Sequence, residues 1–103
     1  MIRHIVFVKF PSDTPADAID GVFRALDDLR ALLPGMLNFK GGANVSPEGL
    51  SRGFTHAFLA DFADATARDA YLAHPAHQAA GAKLVAVAHG IENLTVVDVE
   101  IAG

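Results

Sequence analysis

Cysteine is missing from this chain altogether. That excludes disulfides, thiolate nucleophiles and cysteine-based metal centres. Tryptophan is missing too, and Tyr71 is the one tyrosine. Basic residues are few, 8 Lys and Arg against 12 Asp and Glu, and they form no run. The resulting net charge of −4 argues against nucleic acid and anionic membrane as partners. No basic-then-apolar leader opens the chain, and no apolar run reaches membrane-spanning length. A cytoplasmic protein is the expectation.

What remains is apolar. Hydrophobic types make up 51% of the 103 residues and charged types 19%, with a mean hydropathy of +0.31. Such a chain folds. Its length suits one domain, 1–103, and a domain of this size hides only a modest share of its surface. An apolar face left over is most simply covered by a partner.

Residues 2–10, with Ile, Val and Phe on both faces, predict a strand covered on two sides. Pro11-Ser12-Asp13 is a turn, and Thr14 is placed to cap a helix with Pro15 at its first position and Asp17 at its third. Ile19, Val22, Phe23, Leu26, Leu29 and Leu33 then form one helical stripe, ended by Pro34-Gly35. Residues 36–42 predict a weak strand and 44–53 a loop. Residues 54–62 predict a clear strand with Phe54, His56, Phe58, Ala60 and Phe62 on one face. Asp64 caps a short helix that His74-Pro75 interrupts. A further helix runs from Pro75 to about His89, and residues 91–101 form the last strand. The order β-α-β-β-α-β predicts an α+β, ferredoxin-like antiparallel sheet with its helices on one face. A second copy stacked on the bare face would close a dimeric α+β barrel, so a homodimer is expected.

Five histidines stand out. His4 and His56 lie on neighbouring strands, and alternation places them on one face, expected to be the barrel interior away from the helices. Tyr71 precedes His77 by six residues across the proline break. Imidazoles and a phenol suit acid–base chemistry near neutral pH, with the phenol steadying a developing oxyanion. The plainer reading makes each a hydrogen-bonded core residue. His74 is then a helix cap or a surface residue, and His89 a helix C-terminal residue. The His74-x-x-His77 pair has metal-ligand spacing, but Pro75 breaks the helix that would align it and no carboxylate follows, so no metal is expected. No dinucleotide or phosphate-loop fingerprint occurs.

The stretch Ile2-Arg3-His4-Ile5-Val6-Phe7-Val8-Lys9-Phe10 resembles the stress-responsive dimeric α/β-barrel (Dabb) family. So do Arg52-Gly53-Phe54-Thr55-His56-Ala57-Phe58 and Arg68-Asp69-Ala70-Tyr71-Leu72-Ala73-His74-Pro75-Ala76-His77, and the resemblance covers nearly the whole chain. It implies a ferredoxin-like homodimer. It also implies, from a plant polyketide cyclase of that family, that Tyr71 and His77 act on a substrate while His4 and His56 line its pocket. The chain departs from that cyclase in having Leu26 and Val99 where the cyclase has aromatics. Two functional expectations follow. In one, the protein is a cofactor-free lyase or cyclase for a small hydrophobic or aromatic carbonyl compound. His77 is the base, Tyr71 polarises the oxygen, and His4, His56, Phe23, Leu26, Phe54 and Phe58 line the pocket. In the other, it is a non-catalytic stress-response dimer whose histidines pack as a cluster.

Overall fold

A computed structural model describes residues 1–102. Four strands, β1 (Ile2–Val8), β2 (Met36–Ala43), β3 (His56–Phe62) and β4 (Leu94–Glu100), form one sheet in the order β2-β3-β1-β4. Every neighbouring pair is antiparallel. Three helices, α1 (Ala16–Asp27), α2 (Ala65–Ala73) and α3 (Pro75–Ala88), complete the ferredoxin-like arrangement. None is long and apolar enough to cross a membrane.

Alternation decides which side chains meet the helices. Residues directly opposite in an antiparallel ladder share a face. Val6 faces Phe58 and His4 faces Ala60, and all four are buried. The core forms where this face meets Val22 and Leu26 of α1, Tyr71 of α2, and Ala80, Leu84 and Ala88 of α3. The other face carries Ile5 opposite Leu59 and Val97, and Phe7 opposite Ala57 and Thr95. Arg3 and Asp61 pair on it through two hydrogen bonds of 2.8 and 3.1 Å. The helices all belong to the first face, so His4 and His56 share a face as expected, but it is the helix side. The expectation of a barrel interior is corrected here. Apolar residues on both faces of β1, Val6 and Val8 on one and Ile5 and Phe7 on the other, left the choice open.

Element ends follow their caps. Asp64 accepts a hydrogen bond from the Ala67 amide at 2.9 Å and starts α2. His74 accepts one from the Ala76 amide at 3.0 Å, and Pro75 opens α3. His74 is thus a cap, as its plainer reading held. Thr14 is not a cap, because Pro15 itself holds the last extended position before α1 and Thr14 lies one residue too early. The stripe of α1 breaks at Asp27 into a tighter 3-10 turn over Asp28–Ala31 that still buries Leu29. The last strand begins three residues later than expected. Gly90 takes a φ of 138° and the Asn93 side chain bonds the Ala88 carbonyl at 2.7 Å, which winds Ile91–Asn93 into another 3-10 turn.

Candidate functional site

The helix face of β1 places His4 between Ile2 and Val6, 5% exposed. Its neighbour on β4 is Asp98. The His4 Nδ1 and Asp98 Oδ1 lie 2.7 Å apart, and Asp98 Oδ2 accepts from Arg68 Nη1 of α2, also at 2.7 Å. Burial alone would raise the Asp98 carboxyl, but the hydrogen bonds from Arg68 and His4, with the charge of Arg68, outweigh it and hold the group below its usual value. An ionised carboxylate only accepts, so His4 donates through Nδ1–H. No hydrogen bond from Nε2 is found among the described residues.

Tyr71 sits near the end of α2 with its side chain fully buried. Its ring centre lies 5.8 Å from that of His4 and 4.8 Å from that of Phe62. His77 occupies the first turn of α3 and brings its ring to 4.2 Å from Tyr71. The proline break makes this possible by re-aiming the chain between the two residues. Burial pushes the Tyr71 phenol above its ordinary value, so it is a neutral donor at physiological pH. Burial pulls His77 below its ordinary value; the Leu72 carbonyl opposes this and the nearby His4 adds to it. The positive end of α3 works in the same direction as the burial. Among the described residues, the Tyr71 hydroxyl and His77 Nδ1 are the buried side-chain polar atoms that lack a hydrogen-bond partner.

The residues Tyr71 and His77 both line a cavity of about 380 Å³ walled by Val6, Leu26, Phe58, Leu72, Leu84 and Val85, with His4 on its border. Ligand pockets of this kind combine apolar walls with a few convergent polar groups. A larger hollow of about 460 Å³ lies under the 44–54 loop, between Phe7, Leu50, Phe54 and His56. Several of its polar groups are bonded within the fold: Asn44 bonds Ser51 at 2.6 Å and the Phe54 carbonyl at 3.1 Å, and His56 meets the Thr55 hydroxyl at 2.9 Å. Unpartnered buried polar atoms make the smaller cavity the candidate site.

A family model for the stress responsive A/B barrel domain matches residues 2–101. The chain belongs to that family. It is 32% identical, over 74% of its length and 70% of the other's, to the stress-response A/B barrel domain-containing protein HS1 of Arabidopsis thaliana. A dimeric ferredoxin-like protein of unknown function from Jannaschia sp. CCS1 superposes with a TM-score of 0.88 at 37% identity, covering 97% of this chain and 98% of that one. The hydroxynitrile lyase of Passiflora edulis has the same fold, with a TM-score of 0.85 at 24% identity over 98% of this chain and 93% of that one.

On this A/B barrel scaffold the expected site residues divide. Tyr71, His77, His4, Leu26 and Phe58 come together in one cavity. His56 pairs with Val8, four residues along β1 from His4, a separation of roughly 13 Å along the strand. It packs instead against Phe10 and Phe23, with ring centres 5.0 and 6.2 Å away. Phe23 borders a separate shallow hollow with Phe39. Phe54 precedes β3, and its ring lies against Phe7 on the helix-free face. The alternation from His56 does not extend back to Phe54, because Arg52 and Gly53 turn the chain with φ of 54° and 86°. Asp98 and Arg68 were not foreseen. The legible signal was one acidic residue breaking the apolar rhythm of β4 opposite His4.

Proposed function

We propose that the protein is a homodimer that binds a small hydrophobic carbonyl compound in the Tyr71–His77 cavity and acts on it, without a cofactor, as a lyase or cyclase. The observation that carries this reading is the pair of buried, unpartnered polar atoms on two residues that line one apolar cavity. A buried polar group without a partner costs about 1–3 kcal/mol, and a ligand carbonyl would relieve it. The Tyr71 hydroxyl donates to the carbonyl oxygen. His77 Nδ1 takes a proton from the adjacent carbon, and the C–H electron pair moves into an enolate held by the same hydroxyl. Leu26 and Phe58 shape the apolar wall. His56, Phe23 and Phe54 are not assigned to this pocket.

The homodimer rests on the helix-free face, where Ile5, Phe7 and Leu59 adjoin the exposed Val97 and Val99. A stable interface buries about 800 Å² per partner. A cytoplasmic location and the absence of nucleic-acid partners belong to the same reading, on the cysteine-free, acidic composition.

The rival reading is a non-catalytic stress-response dimer. It is favoured by the His4–Asp98–Arg68 chain, which ties one histidine into the fold. Titration of the histidine ring resonances with aromatic and polyketide-like carbonyl compounds separates the two. A joint response of His77 and His4 supports binding, and turnover assays with the responding compound follow. A folded His77→Ala protein that keeps full turnover would overturn the role of His77.

A further inference from the structure

We propose that Arg68 is a positioning residue of this cavity: by holding the outer oxygen of Asp98 it keeps the inner oxygen on His4 Nδ1–H, so that His4 presents Nε2 as an acceptor beside Tyr71 and His77. The proposal rests on the reading of the cavity as a ligand site and adds a residue that none of the sequence motifs singled out for chemistry.

The geometry is specific. Asp98 lies on β4, an edge strand whose residues beyond Leu94 are all exposed. Among the described residues, His4 and Arg68 alone bond its carboxylate. Its two oxygens have one partner each, His4 Nδ1 and Arg68 Nη1, both at 2.7 Å. Without the guanidinium, Oδ2 faces water and the carboxylate is free to rotate away from the imidazole. Arg68 is in turn held by Asp69, through Nε to Oδ1 at 2.8 Å. Arg68 and Tyr71 are three residues apart on α2 and therefore share a face of that helix. The same face thus grips His4 twice, through Asp98 at Nδ1 and through the Tyr71 ring at its side.

An isolated surface ion pair adds little to stability. Here the side chains of Arg68 and Asp98 are 23% and 26% exposed, and the pair continues inward to a buried ring. What it sets is the choice of nitrogen that carries the proton. With Nδ1 protonated, the cavity border offers an imidazole acceptor at His4, a second at His77 Nδ1 and one donor at Tyr71.

The test reads the tautomer of His4 directly, by long-range proton–nitrogen correlation spectra of the ligand-free chain in mildly alkaline buffer. The wild type is expected to show His4 with Nδ1 protonated. Charge-assisted hydrogen bonds are strong enough that their loss moves such a ratio on the order of tenfold. Arg68→Ala and Arg68→Gln are expected to shift the ratio toward Nε2–H, Arg68→Lys to restore part of it, and Asp98→Ala to shift it fully. If Asp98→Ala shifts the ratio and neither Arg68→Ala nor Arg68→Gln does, Asp98 needs no help and the proposal is overturned. No shift in any variant overturns it as well. Loss of the fold in all three Arg68 variants would place the residue in the scaffold and not in the site, which also overturns it. The readout needs no ligand. A failed ligand search therefore leaves this proposal standing, and its failure leaves the Tyr71–His77 reading intact.

Discussion

The rings of Tyr71 and His77 lie 4.2 Å apart across the break between α2 and α3, and the Tyr71 hydroxyl finds no partner among the described residues. A phenol that is fully buried and unbonded reduces stability. Tyr71→Phe keeps the ring and its packing against Phe62 while removing the unpaired group. The variant is expected to be more stable by about 1 kcal/mol, measured by urea denaturation, and to lose the response of His77 to carbonyl ligands. A loss of stability of similar size would mean that the hydroxyl is satisfied in solution and that the cavity does not wait for a ligand.

The pH dependence of folding has a definite sign. Burial lowers His77 and His56 from 6.5, each against an opposing contribution, the Leu72 carbonyl for His77 and Asp20 for His56. Above 6.5 both rings are neutral folded and unfolded, so stability is complete. As pH falls below 6.5 the unfolded chain takes up protons that the folded one resists, and stability declines through the lowered folded values. Asp61 is lowered from 3.8 chiefly by Arg3, and Asp98 by Arg68 and His4 against its burial. Their contributions are held above 3.8 and lost as pH falls through their folded values. Unfolding free energy against pH is therefore expected to fall in two stages. His77→Gln should reduce the first stage and leave the second; an unchanged first stage would contradict the burial argument for His77.

The sequence makes the core legible where one periodicity dominates. Val22, Leu26 and Leu29 keep helical spacing, and His56, Phe58, Ala60 and Phe62 keep strand spacing; the structure has them facing one another. Asp64, His74 and Pro75 mark the helix ends because each supplies a cap or removes a donor. The side of the sheet that the helices cover was not legible, since β1 offers Val6 and Val8 on one face and Ile5 and Phe7 on the other. Period-2 reasoning says which residues travel together, and says nothing of which face wins. The same gap moved His56 out of the pocket: sharing a face with His4 does not bring two residues together when Val6 and Phe58 stand between them. Asp98 was missed because its partner is 94 residues away in the chain, and only the β1–β4 register joins them.

Gly35 marks a contact that holds α2 against the start of β2. A Cβ at this position would stand 2.5 Å from the Ala67 Cβ, closer than two carbons can approach. The Gly35 carbonyl also accepts from the Ala63 amide at 3.0 Å, so the backbone cannot retreat without giving up that bond. Gly35→Ala is expected to destabilise the protein by about 1–3 kcal/mol, as overpacking does. Adding Ala67→Gly restores the space. The double variant should recover stability relative to Gly35→Ala alone, less the roughly 1 kcal/mol that a helical glycine costs. Additive losses in the two variants would show that the contact is not the cause. Because α2 carries Tyr71 and Arg68, the single variant should also disturb the His4 resonance.

The helix-free face gives the sharpest test of assembly. Val97 sits opposite Ile5 on it and is 44% exposed, next to the edge where a second sheet would close the barrel. A charge there leaves the protomer core untouched, because Val97 points away from the helices. In an apolar interface the same charge would be buried without a partner, which costs several kcal/mol. Val97→Glu is therefore expected to weaken self-association by at least on the order of a hundredfold, read by equilibrium ultracentrifugation at micromolar concentration, with the protomer fold retained by circular dichroism. A wild-type chain that sediments as a monomer would remove the dimer from the proposal. A Val97→Glu chain that remains as tightly associated as the wild type would place the interface on another surface.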